Sequence, residues 1–184
     1  ADEVRGEAGG VLRQLRRLGI SRILLATGDE TRRANAIAQG LGFDAVVSEM
    51  MPQDKTRAVA DERANGPVMM VGDGVNDAPA LAAADIGVAM GARGSAASSE
   101  AANVVILVDR LDRLTDAMRI ARRSRAIALQ SVYAGIGLSV LGMIAAAFGW
   151  LAPVEGALLQ ELIDVAVILN ALRAIADPPQ DAAG

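Results

Sequence analysis

The chain has 184 residues, 52% of them apolar, a net charge of −4, and neither cysteine nor histidine. Those absences exclude disulfide scaffolds, Cys/His zinc sites, thiol nucleophiles and imidazole acid–base catalysis, so any chemistry rests on carboxylates, hydroxyls, amides, one lysine and seventeen arginines. Charge is unevenly placed, with seventeen basic and seventeen acidic residues up to Arg125 but one and five thereafter, so the chain changes character there.

Taken from the start, Val4, Val11, Leu12, Leu15 and Leu18 recur at helical spacing and predict a helix over residues 3–18. ILLAT (23–27) reads as a buried strand ending in Gly28, and a helix follows from Glu30 to Leu41. A short strand at Ala45–Val47 precedes a helix that Pro52 begins. VMMV (68–71) is the next strand, then a helix from Asn76, a strand IGVAM (86–90), a helix around Ser95–Ala102, and VVIL (104–107). This alternation predicts an α/β fold with a parallel sheet and helices on both faces. Ligands of such sheets sit beyond the carboxyl ends of the strands, which directs attention to the loops after Ala26, Val71 and Met90.

From Ala126 to Leu151 the chain runs twenty-six residues without a charge, enough to cross a bilayer as a helix. Gly135, Gly137, Ser139 and Gly142 suit close helix–helix contact in lipid. After Ala152-Pro153-Val154 a second apolar stretch, 156–176, carries Gln160, Glu161, Asp164, Asn170 and Arg173. The expectation is a transmembrane hairpin with spans at 126–151 and 156–176. The competing reading, a hydrophobic hairpin within a soluble protein, is disfavoured because buried soluble helices are seldom this long and uncharged. RIARRSR (119–125) and Arg173 put both ends on the cytoplasmic side of a cell membrane. The charged, amphipathic first twenty residues predict no signal peptide.

Three short segments carry candidate chemistry. GDGVND (72–77) ends the strand VMMV: Gly72 and Gly74 let the backbone turn and approach a bound group, while Asp73 and Asp77 offer hard oxygens suited to Mg2+. Asn76 is placed to donate to a phosphate oxygen at a helix start. In TGD (27–29), Thr27 is placed to donate its hydroxyl to the same pocket, and Asp29 fits a plain helix N-cap equally well. Lys55, in PQDK, lies just inside a helix, where a lysine neutralises developing phosphoryl charge. Each segment alone also has a bland reading: a turn, a cap, one retained lysine. In the second hydrophobic stretch Gln160 and Asp164 (i,i+4) and Glu161 and Asp164 (i,i+3) share one side of a helix, where ionisable groups in lipid tend to be functional.

Taken together and in this order, TGD, P-x-x-K, MVGDGVNDAPAL (70–81) and ADIGVAMG (84–91) resemble the P-type ATPases, specifically the phosphorylation-domain part of their haloacid dehalogenase-like fold. LLQELIDVAVILNALRAI (158–175), close behind that domain, is similar to the last membrane helix of the heavy-metal-transporting branch. The resemblance runs from Asp2 to about Ala176. It implies residues 1–118 as a partial phosphorylation domain, 119–176 as a transmembrane helical hairpin, and 177–184 as a tail. It further implies that Thr27, with Gly28 and Asp29, binds the phosphoryl group, that Lys55 stabilises it, that Asp73 ligates Mg2+, and that Asn76 and Asp77 complete the pocket, Asp77 grouped with the metal. Gly72 and Gly74 line the approach. Asp2 and Arg5 match a DxxR hinge segment leading to the nucleotide-binding domain.

The departures from the family pattern are large. The nucleophilic aspartate of Asp-Lys-Thr-Gly-Thr, the nucleotide-binding and actuator domains and the earlier membrane helices are missing. The implied function is the C-terminal portion of an ATP-driven heavy-metal cation-translocating pump, inactive alone, with ATP and Mg2+ used by the complete protein. The implied partners are the lipid bilayer, a divalent heavy-metal cation and the missing N-terminal part of the same transporter, with no nucleic acid among them. A membrane-anchored, non-catalytic Mg2+/phosphate-binding module that regulates an intact pump is the alternative. The metal itself stays open. Gln160 and Glu161 fall where some cobalt or iron transporters of the branch have His-Glu, and Ser139 where copper transporters have asparagine. Oxygen ligands at Gln160, Glu161 and Asp164 argue mildly against copper(I).

Overall fold

A computed structural model describes residues 2–72, 75–91 and 100–176. The chain forms two compact units, Ala1–Thr115 and Asp116–Gly184.

In the first unit helix α1 (Asp2–Arg17) buries Val11, Leu12 and Leu15, the apolar stripe expected from the spacing. It ends at Gly19, whose φ of 82° supports a Schellman closure: Gly19 N–H donates to the Arg16 carbonyl (2.9 Å) and Ile20 N–H to that of Leu15 (3.1 Å). Strand β1 (Leu24–Ala26), helix α2 (Thr31–Ala38), strand β2 (Ala45–Val47) and helix α3 (Pro52–Arg63) follow. Pro52 opens α3 where its missing N–H costs nothing, and the Asp54 carboxylate accepts the Met51 N–H at 3.0 Å. Next come β3 (Met69–Gly72), a 3-10 turn (Val75–Asp77), α4 (Ala78–Ala83), β4 (Ile86–Met90) and β5 (Val104–Ile106). The helix expected from Asn76 thus begins two residues later, with Pro79 in its first turn and the tighter 3-10 turn ahead of it. The helix expected around Ser95–Ala102 falls mostly outside the described residues.

All pairings are parallel, but the single sheet expected from the alternation is divided in two. β1 pairs with β2 (Leu25↔Val46), and β3, β4 and β5 form a separate three-stranded sheet (Val71↔Val88, Ala89↔Val105). Among the described residues β1 and β3 are each edge strands, with no ladder between them. Leu81, Ala80, Val88, Ala89 and Ile106 make the core under α4. α4 lies so close to β4 that a Cβ on Gly87 would stand 2.5 Å from the Leu81 carbonyl oxygen.

The two sheets are tied at their amino ends by the same device. Asp44, just before β2, accepts the Ile23 N–H (2.7 Å) and returns its own N–H to the Ile23 carbonyl (2.8 Å). Arg16, from the last turn of α1, donates to that carboxylate and to the Gly42 carbonyl, both at 2.8 Å. Asp85, just before β4, repeats every element: it accepts the Val68 N–H (2.9 Å), returns its N–H to Val68 (3.0 Å), and meets Arg63 of α3 (2.8 Å), which also holds the Ala83 carbonyl (3.1 Å). Each unit of helix, strand, helix and strand therefore closes on an arginine–aspartate clamp. The backbone N–H first, and then the arginine, hold both carboxyls below the usual aspartate range.

The second unit is helical. Helix α5 (Asp112–Ala147) continues through the uncharged stretch, and the expected span to Leu151 stops early because the chain turns at Phe148–Trp150, where Gly149 has φ 76°. Helix α6 (Pro153–Ala176) starts at the proline rather than at 156. Its hydrogen bonds to α5 pair Ser131 with Asn170 (2.8 Å) and Ser139 with Gln160 (3.0 Å), so the two helices run antiparallel as a hairpin. Among the described residues only α5 is long, apolar and uncharged enough to cross a membrane. α6 falls short because Glu155, Glu161, Asp164 and Arg173 interrupt it. The apolar side chains of α5 point outward, Leu141 64% and Met143 63% exposed, so the helix carries a wide uncovered apolar surface. Gly135 faces α6, where a Cβ would lie 3.0 Å from Val167, and Gly142 does so at 3.5 Å from Leu159. Gly137 faces open space, so it takes no part in the close contact expected of it.

Candidate functional site

The carboxyl ends of β1, β2 and β3 carry the residues singled out from the sequence. At the end of β1, Thr27 N–H continues the ladder to the Val47 carbonyl (2.9 Å) and its carbonyl accepts the Met50 N–H (3.1 Å). The Thr27 hydroxyl accepts the Asp29 N–H at 3.1 Å and donates to the Asp29 carboxylate at 3.2 Å, closing a tight turn over Gly28. Gly28 has little room for a side chain, since a Cβ would meet the Met50 carbonyl oxygen at 3.3 Å. Asp29 does not cap α2. Glu30 holds the N-cap position without a side-chain bond to the helix, and Asp29 instead lies 3.9 Å from Arg33.

The cap of α2 comes from another loop. Glu49, beyond the end of β2, accepts the Thr31 N–H (3.3 Å) and the Thr31 hydroxyl (3.0 Å), and its N–H donates to the Asp29 carbonyl (2.9 Å). It is the one non-glycine residue among those described with positive φ, 56°, a conformation that costs an L-residue about 1–2 kcal/mol. Sequence reading missed it. The available signal was indirect: glutamate is a poor N-cap, so Glu30 left α2 in need of a cap from elsewhere.

Lys55, on the first turn of α3, meets Asp77 at the start of α4: Nζ to Oδ1 is 2.7 Å, with the two side chains only 19% and 8% exposed. The fold thereby unites two of the expected residues across two loops. Gly72 is required beneath them, because a Cβ there would stand 2.8 Å from Asp77 Oδ2 and 2.9 Å from its Cβ. Asn76 sits in the 3-10 turn, exposed, ahead of α4 rather than at its first residue. Asp73 and Gly74 lie outside the described residues. Among the described residues no three carboxylates gather into a metal-binding group.

In the helical hairpin, Ser139 Oγ donates to Gln160 Oε1 (3.0 Å) and Gln160 Nε2 to Asp164 Oδ1 (3.0 Å), so Gln160 and Asp164 join one polar chain. Glu161 is exposed and stands outside that chain. A cavity of about 190 Å3 lies between the helices, with Ser139, Gln160, Gly142, Met143 and Leu159 on its wall. About two turns further along α5, buried Ser131 accepts from Asn170 Nδ2, and Arg173 donates to Asn170 Oδ1 (3.3 Å). Satisfied polar pairs of this kind hold helices together where water is absent.

A parallel α/β unit with a lysine–aspartate pair and a Thr-Gly-Asp turn at its strand ends is a haloacid dehalogenase-like domain, and the model of haloacid dehalogenase-like hydrolases matches residues 1–85. Over 175 residues, 95% of its length, the chain is 44% identical to the manganese-exporting P-type ATPase of Mycobacterium leprae. It is 43% identical over the same share to the zinc-exporting P-type ATPase of Mycobacterium marinum. The crystal structure of a zinc-transporting PIB-type ATPase in the E2.Pi state superposes with a TM-score of 0.84 and 32% identity over 91% of this chain and 27% of that one. Nearly the whole chain is thus similar to one part of metal-exporting P-type ATPases. It spans about a quarter of the curated relatives it matches, 24% of each.

Proposed function

We propose that the chain is the C-terminal part of an ATP-driven exporter of a divalent heavy-metal ion, supplying half of the aspartyl-phosphate site and the last two membrane helices. The observation that carries this reading is the Lys55–Asp77 pair, largely withdrawn from water at the ends of β2 and β3. A charge held there in advance stabilises phosphoryl oxygens without reorganisation when charge develops. Thr27 offers a hydroxyl donor at the end of β1, and Asn76 an exposed amide.

The donor set fits Mg2+. Asp77 offers a hard carboxylate that Gly72 allows to seat close against the end of β3, and Asp73 is the natural second carboxylate. Bound there, the ion would neutralise phosphate charge, while Lys55 fixes Asp77 and Thr27 orients a phosphoryl oxygen. The nucleophile is assigned to an Asp-Lys-Thr-Gly-Thr strand upstream. The divided sheet supports this, since β1 and β3 both present unpaired parallel edges to which such a strand could hydrogen-bond.

In the membrane, α5 and α6 are read as a hairpin with both ends cytoplasmic, and Asp164, Gln160 and Glu161 as contributors to the ion path. Manganese and zinc are what two of the matched relatives export; oxygen-rich ligands suit manganese, and zinc accepts carboxylate oxygens among its ligands. The expected result is that residues 1–184 alone hydrolyse neither ATP nor simple phosphomonoesters, whereas the full-length transporter hydrolyses ATP with metal stimulation that Glu161→Ala/Asp164→Ala abolishes. Magnesium-dependent turnover by residues 1–184, or full metal stimulation in the double variant, would overturn the reading.

A further inference from the structure

We infer that Glu49 is a positioning residue that sets the Thr27–Asp29 turn and couples it to Lys55. This rests on the reading of Thr27 and Lys55 as phosphoryl-site residues. Within the segment from Val47 to Met51, three residues bond to that turn. The Val47 carbonyl receives the Thr27 N–H (2.9 Å), the Glu49 N–H goes to Asp29 (2.9 Å) and the Met50 N–H to Thr27 (3.1 Å). The Glu49 carboxylate then takes the Thr31 N–H and hydroxyl, and Ser48 Oγ shares a 2.8 Å bond with that same hydroxyl. Immediately after, the Met51 carbonyl accepts the Lys55 N–H at 3.2 Å, so the segment that grips the turn also launches the helix bearing Lys55.

Two features single out Glu49 within this segment. Its backbone has φ 56°, in the region glycine or asparagine would occupy more easily, so a non-glycine side chain is retained against strain. That side chain makes the cap that Glu30, at the N-cap position of α2, does not make. A glycine would ease the backbone and lose the cap, whereas a glutamine keeps an oxygen acceptor at the same reach. The two roles are therefore separable by substitution.

The first test is amide hydrogen exchange on residues 1–184 in detergent micelles. Glu49→Ala and Glu49→Gly should both speed exchange at Thr31 and Asp29 by between about twofold and thirtyfold, the range for losing a helix cap. Glu49→Gln should stay near the parent, and the β4 amides should be unchanged in all three. Parent-like exchange at Asp29 in Glu49→Gly, or acceleration spread equally through β4, would overturn the inference. Should Glu49→Ala fail to fold, the contrast between glutamine and glycine decides alone. The second test measures phosphorylation of the full-length transporter by inorganic phosphate with Mg2+. Glu49→Ala should raise the half-saturating phosphate concentration severalfold at an unchanged maximal level, and Glu49→Gln should restore it; equal phosphate dependence in all variants overturns the coupling. A parent that takes up no phosphate refutes the phosphoryl-site reading instead, and the exchange result then still decides whether Glu49 holds the turn.

Discussion

Gly87→Ala tests the packing on which the first unit depends. The added Cβ would stand 2.5 Å from the Leu81 carbonyl oxygen, 3.0 Å from its carbonyl carbon and 3.2 Å from its Cβ. Carbon atoms pack at about 3.5–4.0 Å, so α4 would have to retreat from β4 by about 1 Å. The nearest obstacle is backbone, which no rotamer change relieves, and Leu81 is fully buried. Overpacking of this kind costs about 1–3 kcal/mol. For a unit of about 115 residues each kcal/mol lowers the melting temperature by about 4 °C, giving a fall of roughly 4–12 °C. Because Trp150 and Tyr133 both lie in the helical unit, the assay is circular-dichroism melting of the whole chain in micelles, with hydrogen exchange of the β4 amides reporting locally. Gly10→Ala is the matched control: it lies inside α1 and its Cβ would meet nothing within 4 Å. It should stabilise by about 0.5–1 kcal/mol, so one chemical change has opposite signs at two sites. A Gly87→Ala protein that melts within about 1 °C of the parent, with unaltered β4 exchange, would refute the close approach of α4 to β4.

Gly72→Ala should displace Asp77 from Lys55, and in the full-length transporter its phosphorylation by inorganic phosphate should fall at least tenfold, or about 1.4 kcal/mol. Asp44 and Asp85 have carboxyls held below their ordinary range, so their stabilisation is complete above the unfolded-state value of about pH 4 and is lost as pH falls through the lower folded value. Asp44→Asn/Asp85→Asn should therefore melt lower than the parent at pH 6, and the gap should close towards pH 2.5; parallel curves would contradict the clamp. Because these ion pairs are exposed, added salt should narrow the gap at pH 6. Asn170→Leu removes the bond to Ser131 and should weaken the α5–α6 pairing by about 0.6 kcal/mol, up to about 1.7 kcal/mol, measured by proximity cross-linking or steric trapping in bilayers.

Much of this chain could be read without coordinates because its signals are local. The alternation of apolar runs with Gly- and Pro-bearing turns located all five described strands to within about two residues, and Pro52 marked a helix start through its missing N–H. The segments around Thr27, Lys55 and Asp77 stood out because glycine, carboxylate and lysine at strand ends are unusual in combination.

What the tertiary structure decided is what depends on residues distant in sequence. Lys55 and Asp77 are 22 positions apart, and only the packing of α3 on α4 brings their charges to 2.7 Å. The split between β1–β2 and β3–β4–β5 is equally invisible in the strand pattern, because pairing partners are chosen by the layers and not by the runs themselves. Likewise, Gly135 and Gly142 face α6 while Gly137 does not, a matter of helix rotation that composition leaves undetermined. Glu49 shows the limit most plainly: an ordinary glutamate in the sequence becomes a strained cap only once two loops have been brought together. The sequence determined which elements form and which family they resemble, since propensity and motif are carried by neighbouring residues. The tertiary structure decided which side chains meet, since contact is a property of the folded chain in space.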